Sequence, residues 1–327
     1  MVNDSGARVI GIDISGAFGS GIRGGLVDGT AALIARKEGF TPRTGEEDLI
    51  SSVAIMASRL AELSRREGAP PTAVGVAVPG LVDEPTGIVH RSPNLSLKEV
   101  RLGPILAERL ELPVFLIHDT LAGALAENTL GVGRGVRDLL LVVIGGGVGC
   151  AVISGGNLVH GAHGSAGEIG HISVDPTGLL CGCGGRGCVE TIASEPALVR
   201  RYTTATSEAI PPEEVISRAL AGHPAATRVW SEALSALATV IASAALLLDT
   251  ELVVLHGPGK LPSSAVEPLR GLLAKRMNLV QPPRMEVGSL GDSAGVLGAA
   301  TIAFERGGLG GVTRGWSELQ REGAVQA

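Results

Sequence analysis

Two stretches of the chain repeat one design. RVIGIDISGAFGSGIRGGLVDG (residues 8–29) and LLLVVIGGGVGCAVISGGNL (residues 139–158) each read as a buried strand, a Gly-rich turn and a second strand. Each closes at a tight turn, Asp28-Gly29 in the first and Gly155-Gly156 in the second. About 130 residues separate the copies, far beyond a solenoid period. The spacing predicts two related domains, each opening with a β-hairpin, and 327 residues are enough to build both. Glycines at such turns let backbone N–H groups approach an anion without Cβ obstruction, so two hairpins suit a clamp on a polyphosphate. Asp13, at the end of the first strand, would then sit near the metal and the γ-phosphate. Gly145-Gly146-Gly147-Val148-Gly149 is not a dinucleotide fingerprint, because that motif must open a helix and Cys150 to Ser154 reads as a strand.

Strand and helix patterns alternate along the rest of the chain. Helical spacing of apolar residues runs over 47–67, with Thr44 and Glu47 as a capping box. Strands are expected at 73–79, 113–118 and 251–256. Helices are expected from Asp119 to about Leu130 and over 195–203, 212–221, 224–249, 263–277 and 292–306. This alternation indicates an α/β protein with parallel or mixed sheets. Aromatics are 2% of the chain, so aliphatic side chains must fill its cores.

A net charge of -6 and the lack of a basic stripe argue against general nucleic-acid binding. The apolar run from Leu234 to Leu248 is interrupted by Ser235, Thr239 and Ser243 and falls short of the roughly 20 residues of a membrane span, so it reads as a core helix. No charged-then-apolar leader precedes Arg8, and a cytoplasmic protein without membrane association is expected.

Three of the four cysteines, Cys181, Cys183 and Cys188, fall within eight residues, separated largely by glycine. Such clustering reads as ligation of one tetrahedral ion rather than as disulfides. The fourth ligand is either Cys150, which lies in a predicted strand, or His171, and His171 is preferred. Three thiolates and one imidazole fill all four positions, so the site is structural rather than catalytic, and Zn²⁺ is the expected ion.

Glu168-Ile169-Gly170-His171 followed by CGCGGRGCVE, ending at Glu190, resembles the E-x-G-H and C-x-C-G-x-x-G-C-x-E signature of the ROK family (repressors, open reading frames and sugar kinases). Supporting similarities are Gly75 to Gly80, Pro93-Asn94-Leu95, Asp119 opening a helix that ends in Ala126-Glu127, and GDSAGVLGAA from Gly291. The resemblance implies a two-lobed actin-like ATPase (ribonuclease H-like) fold, with the active site between the lobes. One lobe would comprise 1–118 plus 300–327, the other 119–299 with the zinc knuckle. It implies transfer of the γ-phosphoryl of ATP, with Mg²⁺, to a sugar hydroxyl. Asp119 matches the general base. Asn94, His118, Glu168, His171 and Glu190 match substrate-binding positions, and His171 also serves as a zinc ligand with the three cysteines. Asp13, Ser15, Gly16, Gly145, Gly146, Gly147, Gly257 and Gly259 match the nucleotide-binding set, with Gly295 nearby. A homodimer is expected by the same analogy.

Three departures from the family pattern stand out. The first phosphate loop usually reads D-x-G-G-T-K; here Asp13-Ile14-Ser15-Gly16-Ala17-Phe18 lacks the Thr and Lys and carries about three extra residues, with Ser15 or Ser20 as substitutes. Gly146 replaces the Thr of the second loop, and His118 replaces the Asn before the catalytic Asp. An imidazole at that sugar-facing position should alter ring specificity. Two alternatives to a hexose kinase follow: a kinase of C7-cyclitols, and a catalytically silent sugar-binding regulator. ROK repressors carry a helix-turn-helix domain ahead of the first strand. About seven residues precede Arg8 here, so direct DNA binding is not expected.

Overall fold

The computed structural model describes residues 6–14, 21–42, 45–257, 261–314 and 316. Ser15, Gly16, Thr44 and Gly259 therefore lie outside the described residues. The chain forms two compact units: Met1–Gly135, Ala162–Gly164 and Asp292–Ala327 in unit 1, and Val136–Gly161 with Ser165–Gly291 in unit 2.

Unit 1 begins with β1 (Arg8–Ile14), β2 (Ile22–Asp28) and β3 (Leu33–Gly39), followed by α1 (Glu46–Arg66) and β4 (Val74–Val78). A small antiparallel sheet comes next, of β5 (Leu81–Asp83), β6 (Ile88–Ser92) and β7 (Leu97–Val100). Then come α2 (Leu102–Leu110), β8 (Val114–His118) and α3 (Asp119–Thr129). The main sheet has the order β3-β2-β1-β4-β8. Its β1–β2 and β2–β3 pairs are antiparallel and its β1–β4 and β4–β8 pairs parallel. A sheet covered on both faces should carry strands buried throughout, and every residue of β4 is buried. Ile10, Ile12, Val74 and Val76 join Leu49, Ile50, Val53 and Leu60 of α1 in one core.

Unit 2 repeats that plan with β9 (Leu139–Ile144), β10 (Val148–Ser154) and β11 (Asn157–Leu158), then α4 (Glu190–Ala193), α5 (Glu195–Thr206), α6 (Pro212–Leu220) and α7 (Pro224–Leu248). It ends with β12 (Leu252–His256), α8 (Ser263–Arg276) and β13 (Arg284–Val287), in sheet order β11-β10-β9-β12-β13. The β9–β10 and β10–β11 pairs are antiparallel and the β9–β12 and β12–β13 pairs parallel, the pattern of the unit 1 sheet. The duplication read from the two hairpins is thus a duplication of sheet topology. Helix α7 has the length expected over 224–249, and an 18-residue stretch of it has a mean hydropathy of 1.8, so it is long and apolar enough to span a membrane although the run from Leu234 was expected to fall short. Burial of Ala226, Trp230, Leu234, Leu237 and Ile241 against Leu140, Val142, Val253 and Leu255 makes it the core helix of unit 2.

The chain returns to unit 1 with α9 (Ala294–Phe304). The division expected from sequence, after 118 and before 300, would separate α3 from unit 1 and cut α9. The observed division keeps both helices in unit 1, because they pack backbone to backbone. A Cβ added at Gly298 would lie 1.9 Å from the carbonyl oxygen of Ala122. Helix α9 also lies on β4, where a Cβ at Gly75 would lie 1.8 Å from the carbonyl oxygen of Ala299. Backbone cannot yield as a flexible side chain does. Gly75→Ala is therefore expected to destabilise the chain by about 3 kcal/mol, read as a lower denaturant midpoint at unchanged slope.

The capping box expected at Thr44 and Glu47 has its first member outside the described residues. Helix α1 begins at Glu46, after an N-cap at Gly45 that makes no side-chain bond. Glu47 turns to Arg109 of α2, whose two terminal nitrogens donate to its carboxylate at 2.8 and 2.9 Å, and this pairing draws its pKa down.

Candidate active-site residues and a thiol–imidazole cluster

In unit 1, alternation along β1 decides which side chain faces which layer. Ile10, Ile12 and Ile14 join the α1 core, leaving Gly11 and Asp13 on the α9 side. Asp13 is 6% exposed and lies against Gly295 in the first turn of α9, where a helix N-terminus favours negative charge. Its cross-strand partner in the β1–β2 register is Arg23, which donates from Nη2 to Asp13 Oδ2 at 3.0 Å and from Nε at 3.3 Å. Sequence reasoning missed Arg23. The Asp28-Gly29 turn joins β2 to β3 and fixes no β1–β2 register, so the sequence carried no signal for this pair.

Asp119 opens α3, where β8 ends. Its Oδ1 accepts a hydrogen bond from the Thr120 N–H at 2.7 Å and lies 3.4 Å from His118 Nδ1. That same Nδ1 is 2.6 Å from Thr120 Oγ1. The side chain is 34% exposed, so the carboxylate is held at one oxygen while staying reachable. Nothing in the sequence pattern singles out Thr120, because its part depends on the His118 rotamer. Asn94 lies in a one-turn 3-10 helix, Pro93–Leu95, and is exposed.

In unit 2 the chain folds Glu168 to Glu190 back on itself. Isolated bridges join Ser173 to Cys188 and Leu180 to Arg186. The ligand atoms of His171, Cys181, Cys183 and Cys188 all lie within 4.8 Å of one another. A tetrahedral ion with bonds of about 2.3 Å to sulfur and 2.0–2.1 Å to nitrogen sets its sulfurs about 3.8 Å apart, and sulfur and nitrogen about 3.6 Å apart. The observed edges are 3.7 Å for Cys183 Sγ–Cys188 Sγ and 3.6 Å for Cys181 Sγ–His171 Nδ1. The cluster is thus compatible with zinc. Burial, then the neighbouring thiols, push the Cys188 thiol up to about 12, whereas the Gly185 N–H draws the exposed Cys183 thiol down. A dication would offset the charge that three crowded thiolates accumulate. Of the two candidate fourth ligands, His171 is in the cluster. Cys150 is a buried core residue of β10 whose thiol is pushed up to about 12 by desolvation.

The acidic residues of the motif gather around this cluster. Glu168 Oε2 lies 3.7 Å from His171 Nε2, the nitrogen opposite the one facing the thiols. Glu190 opens α4, accepts from the Val148 N–H through Oε2 at 3.3 Å, and places Oε1 3.8 Å from Cys181 Sγ. It thereby links the cluster to the Gly145–Gly147 turn between β9 and β10. That turn is also held by the Glu195 N–H donating to the Gly145 carbonyl at 2.8 Å. A Cβ at Gly147 would lie 2.3 Å from Glu190 Oε2, so only glycine leaves the carboxylate in place. Gly146 occupies the middle of the turn, and Gly257 follows β12 against Leu261.

Two sheets of identical topology and a cysteine–histidine cluster beside a Gly-rich turn define the α/β fold of ROK sugar kinases within the actin-like ATPases. The glucokinase of Streptomyces griseus, solved in complex with glucose and AMPPNP, superposes with a TM-score of 0.79 at 29% identity, covering 91% of this chain and 100% of that one. The family model of the ROK family matches residues 9–306, and the chain belongs to that family. It is 31% identical to the glucokinase of Thermotoga maritima over 321 residues, 91% of this chain and 98% of the relative. It is also 43% identical to the DNA-binding transcriptional repressor Mlc of Escherichia coli over 129 residues, which are 39% of this chain and 32% of the repressor.

Proposed function

We propose that this protein is a sugar kinase that transfers the γ-phosphoryl of ATP to a hydroxyl, with a primary hydroxyl favoured, of a hexose or sugar-like ring. The observation that carries the reading is Asp119, a reachable carboxylate seated at the start of α3 with one oxygen held by Thr120. Asp119 accepts the hydroxyl proton as the sugar oxygen bonds to the γ-phosphorus, the bridging bond to the β-phosphate breaks and ADP leaves. Carboxylates and an amide suit a polyol, which presents many O–H donors. Glu168, Glu190, Asn94 and His171 fill that role, while His118 faces the ring. Zn²⁺ held by His171, Cys181, Cys183 and Cys188 would cross-link the loop that carries Glu168 and Glu190, a preorganising task. Asp13 is the carboxylate available to the Mg²⁺ carried by the nucleotide. Arg23 beside it supplies a cation near the loop that lacks the family's Lys, and Gly145 to Gly147 offer backbone N–H groups to phosphate. The glucokinase relatives support ATP and a hexose as substrates.

The test is a coupled assay of purified protein with ATP-Mg²⁺ against a panel of hexoses, amino- and acyl-hexoses and C7-cyclitols. Turnover on none of them defeats the reading. The imidazole of His118, bonded to Thr120, favours a ring other than glucose, and preference for a cyclitol in the same panel would establish that variant. The altered first phosphate loop motivates a second reading, a catalytically silent sugar-binding regulator, in keeping with the repressor relative. Calorimetric titration separates the two, since tight ATP binding opposes a silent protein.

Gly147→Ala gives a milder check. The added methyl meets only the end of the Glu190 side chain, so the fold should survive while the carboxylate is displaced. An increase in sugar KM of about tenfold, equivalent to about 1.4 kcal/mol, is expected at a nearly unchanged melting temperature.

A further inference from the structure

Behind Asp119 a buried carboxylate pairs with a partly exposed guanidinium, an ion pair that neither the family signature nor the substrate set includes. Glu84 sits in the loop after β5, and its side chain is only 7% exposed. One of its oxygens, Oε1, accepts from the backbone N–H of His118 at 3.4 Å, immediately before Asp119. The other, Oε2, accepts from Arg306 Nη2 at 2.6 Å. Arg306 follows α9, and its Nη1 donates to the carbonyl oxygen of Leu116 at 3.4 Å, two residues earlier on β8. The two side chains therefore grip the end of β8 by one N–H and one C=O, with a charge-assisted bond closing the bracket. A carboxylate this deeply buried is stable only with a counter-charge and bonded oxygens. The N-cap His118 and the first residue of α3 inherit whatever precision the bracket imposes.

We propose that Glu84 and Arg306 act together as positioning residues for Asp119, fixing the β8–α3 junction so that the carboxylate meets the reacting hydroxyl. This rests on the reading of Asp119 as the general base. Displacing a reacting group by about 1 Å costs on the order of a hundredfold in rate, whereas groups that bind substrate elsewhere are untouched. Glu84→Ala is expected to lower kcat by about 30- to 100-fold with sugar and ATP KM within about twofold of wild type. Arg306→Ala should give the same loss, and the double variant should be no worse than either alone, because the two side chains serve one bracket. Glu84→Gln keeps an acceptor for the His118 amide, so it should fold if the alanine variant does not and show an intermediate rate. A second readout does not depend on turnover: hydrogen exchange at the His118 amide should be about tenfold faster in Glu84→Ala than in wild type, and intermediate in Glu84→Gln, which keeps the acceptor but loses the charge that holds Arg306. Asp119→Asn is run alongside. A wild-type chain inactive on every acceptor defeats the general-base reading alone, and the exchange measurement then decides whether Glu84 holds the junction. Wild-type kcat in the folded Glu84 variants, additive losses in the double variant, or unchanged exchange at His118 would overturn the inference.

Discussion

Asp119→Asn is expected to lower kcat about a thousandfold, within the range that a positioned general base contributes, while sugar KM changes by less than about threefold. The substitution is nearly isosteric and keeps an oxygen to accept from the Thr120 N–H, so the start of α3 should stay intact. What is lost is proton acceptance from the hydroxyl late in phosphoryl transfer. Melting temperature measured beside steady-state kinetics separates the chemical loss from any structural one. Retention of more than about a tenth of wild-type kcat would remove Asp119 from the role.

On the proposed zinc site, metal removal should have the largest effect on stability. A site loaded at about a thousand times its Kd stabilises the folded state by about 4 kcal/mol. At about 2.1 cal/mol/K of unfolding entropy per residue, each kcal/mol moves the melting temperature of a 327-residue chain by about 1.5 °C, so chelation or Cys188→Ser should lower it by about 6 °C. Metal analysis should show one zinc per chain in the wild type. Zinc occupancy should also fall as the pH drops, for a definite reason. Burial holds the Cys181 and Cys188 thiols above the ordinary cysteine range, so binding must expel protons, which acid opposes. A chain that melts identically with and without chelator would exclude a structural metal. Because Glu190 touches both Cys181 and the Gly145–Gly147 turn, the metal-free protein should also bind sugar more weakly than the loaded one.

Much of the fold was legible in the chain itself. The two hairpins, the buried strands at 74–78, 114–118 and 252–256, and helices α1, α3 and α5 to α9 follow from apolar periodicity over windows long enough to show it. Strands β3, β5 to β7 and β13 and helices α2 and α4 escaped notice. β3 is a half-exposed edge strand, Leu-Ile-Ala-Arg-Lys-Glu-Gly, without a buried run, and β5 to β7 are each five residues or fewer. Such short segments carry too few residues for either period to declare itself.

The same division holds for the candidate site. Sequence alone singled out the three cysteines and His171 that gather into one cluster, because donors this close on a Gly-rich loop have few other ways to fold, and it determined that Asp119 would begin a helix, because the strand pattern stops at His118. Only tertiary structure decided that α3 belongs with α9 in unit 1, that Arg23 pairs with Asp13, and that Arg306 reaches Glu84 across 222 residues of chain. Periodicity and chelate spacing are local and are written along the chain. The partner of a buried charge is chosen by which backbones pack against each other, and that choice leaves no trace in residue order.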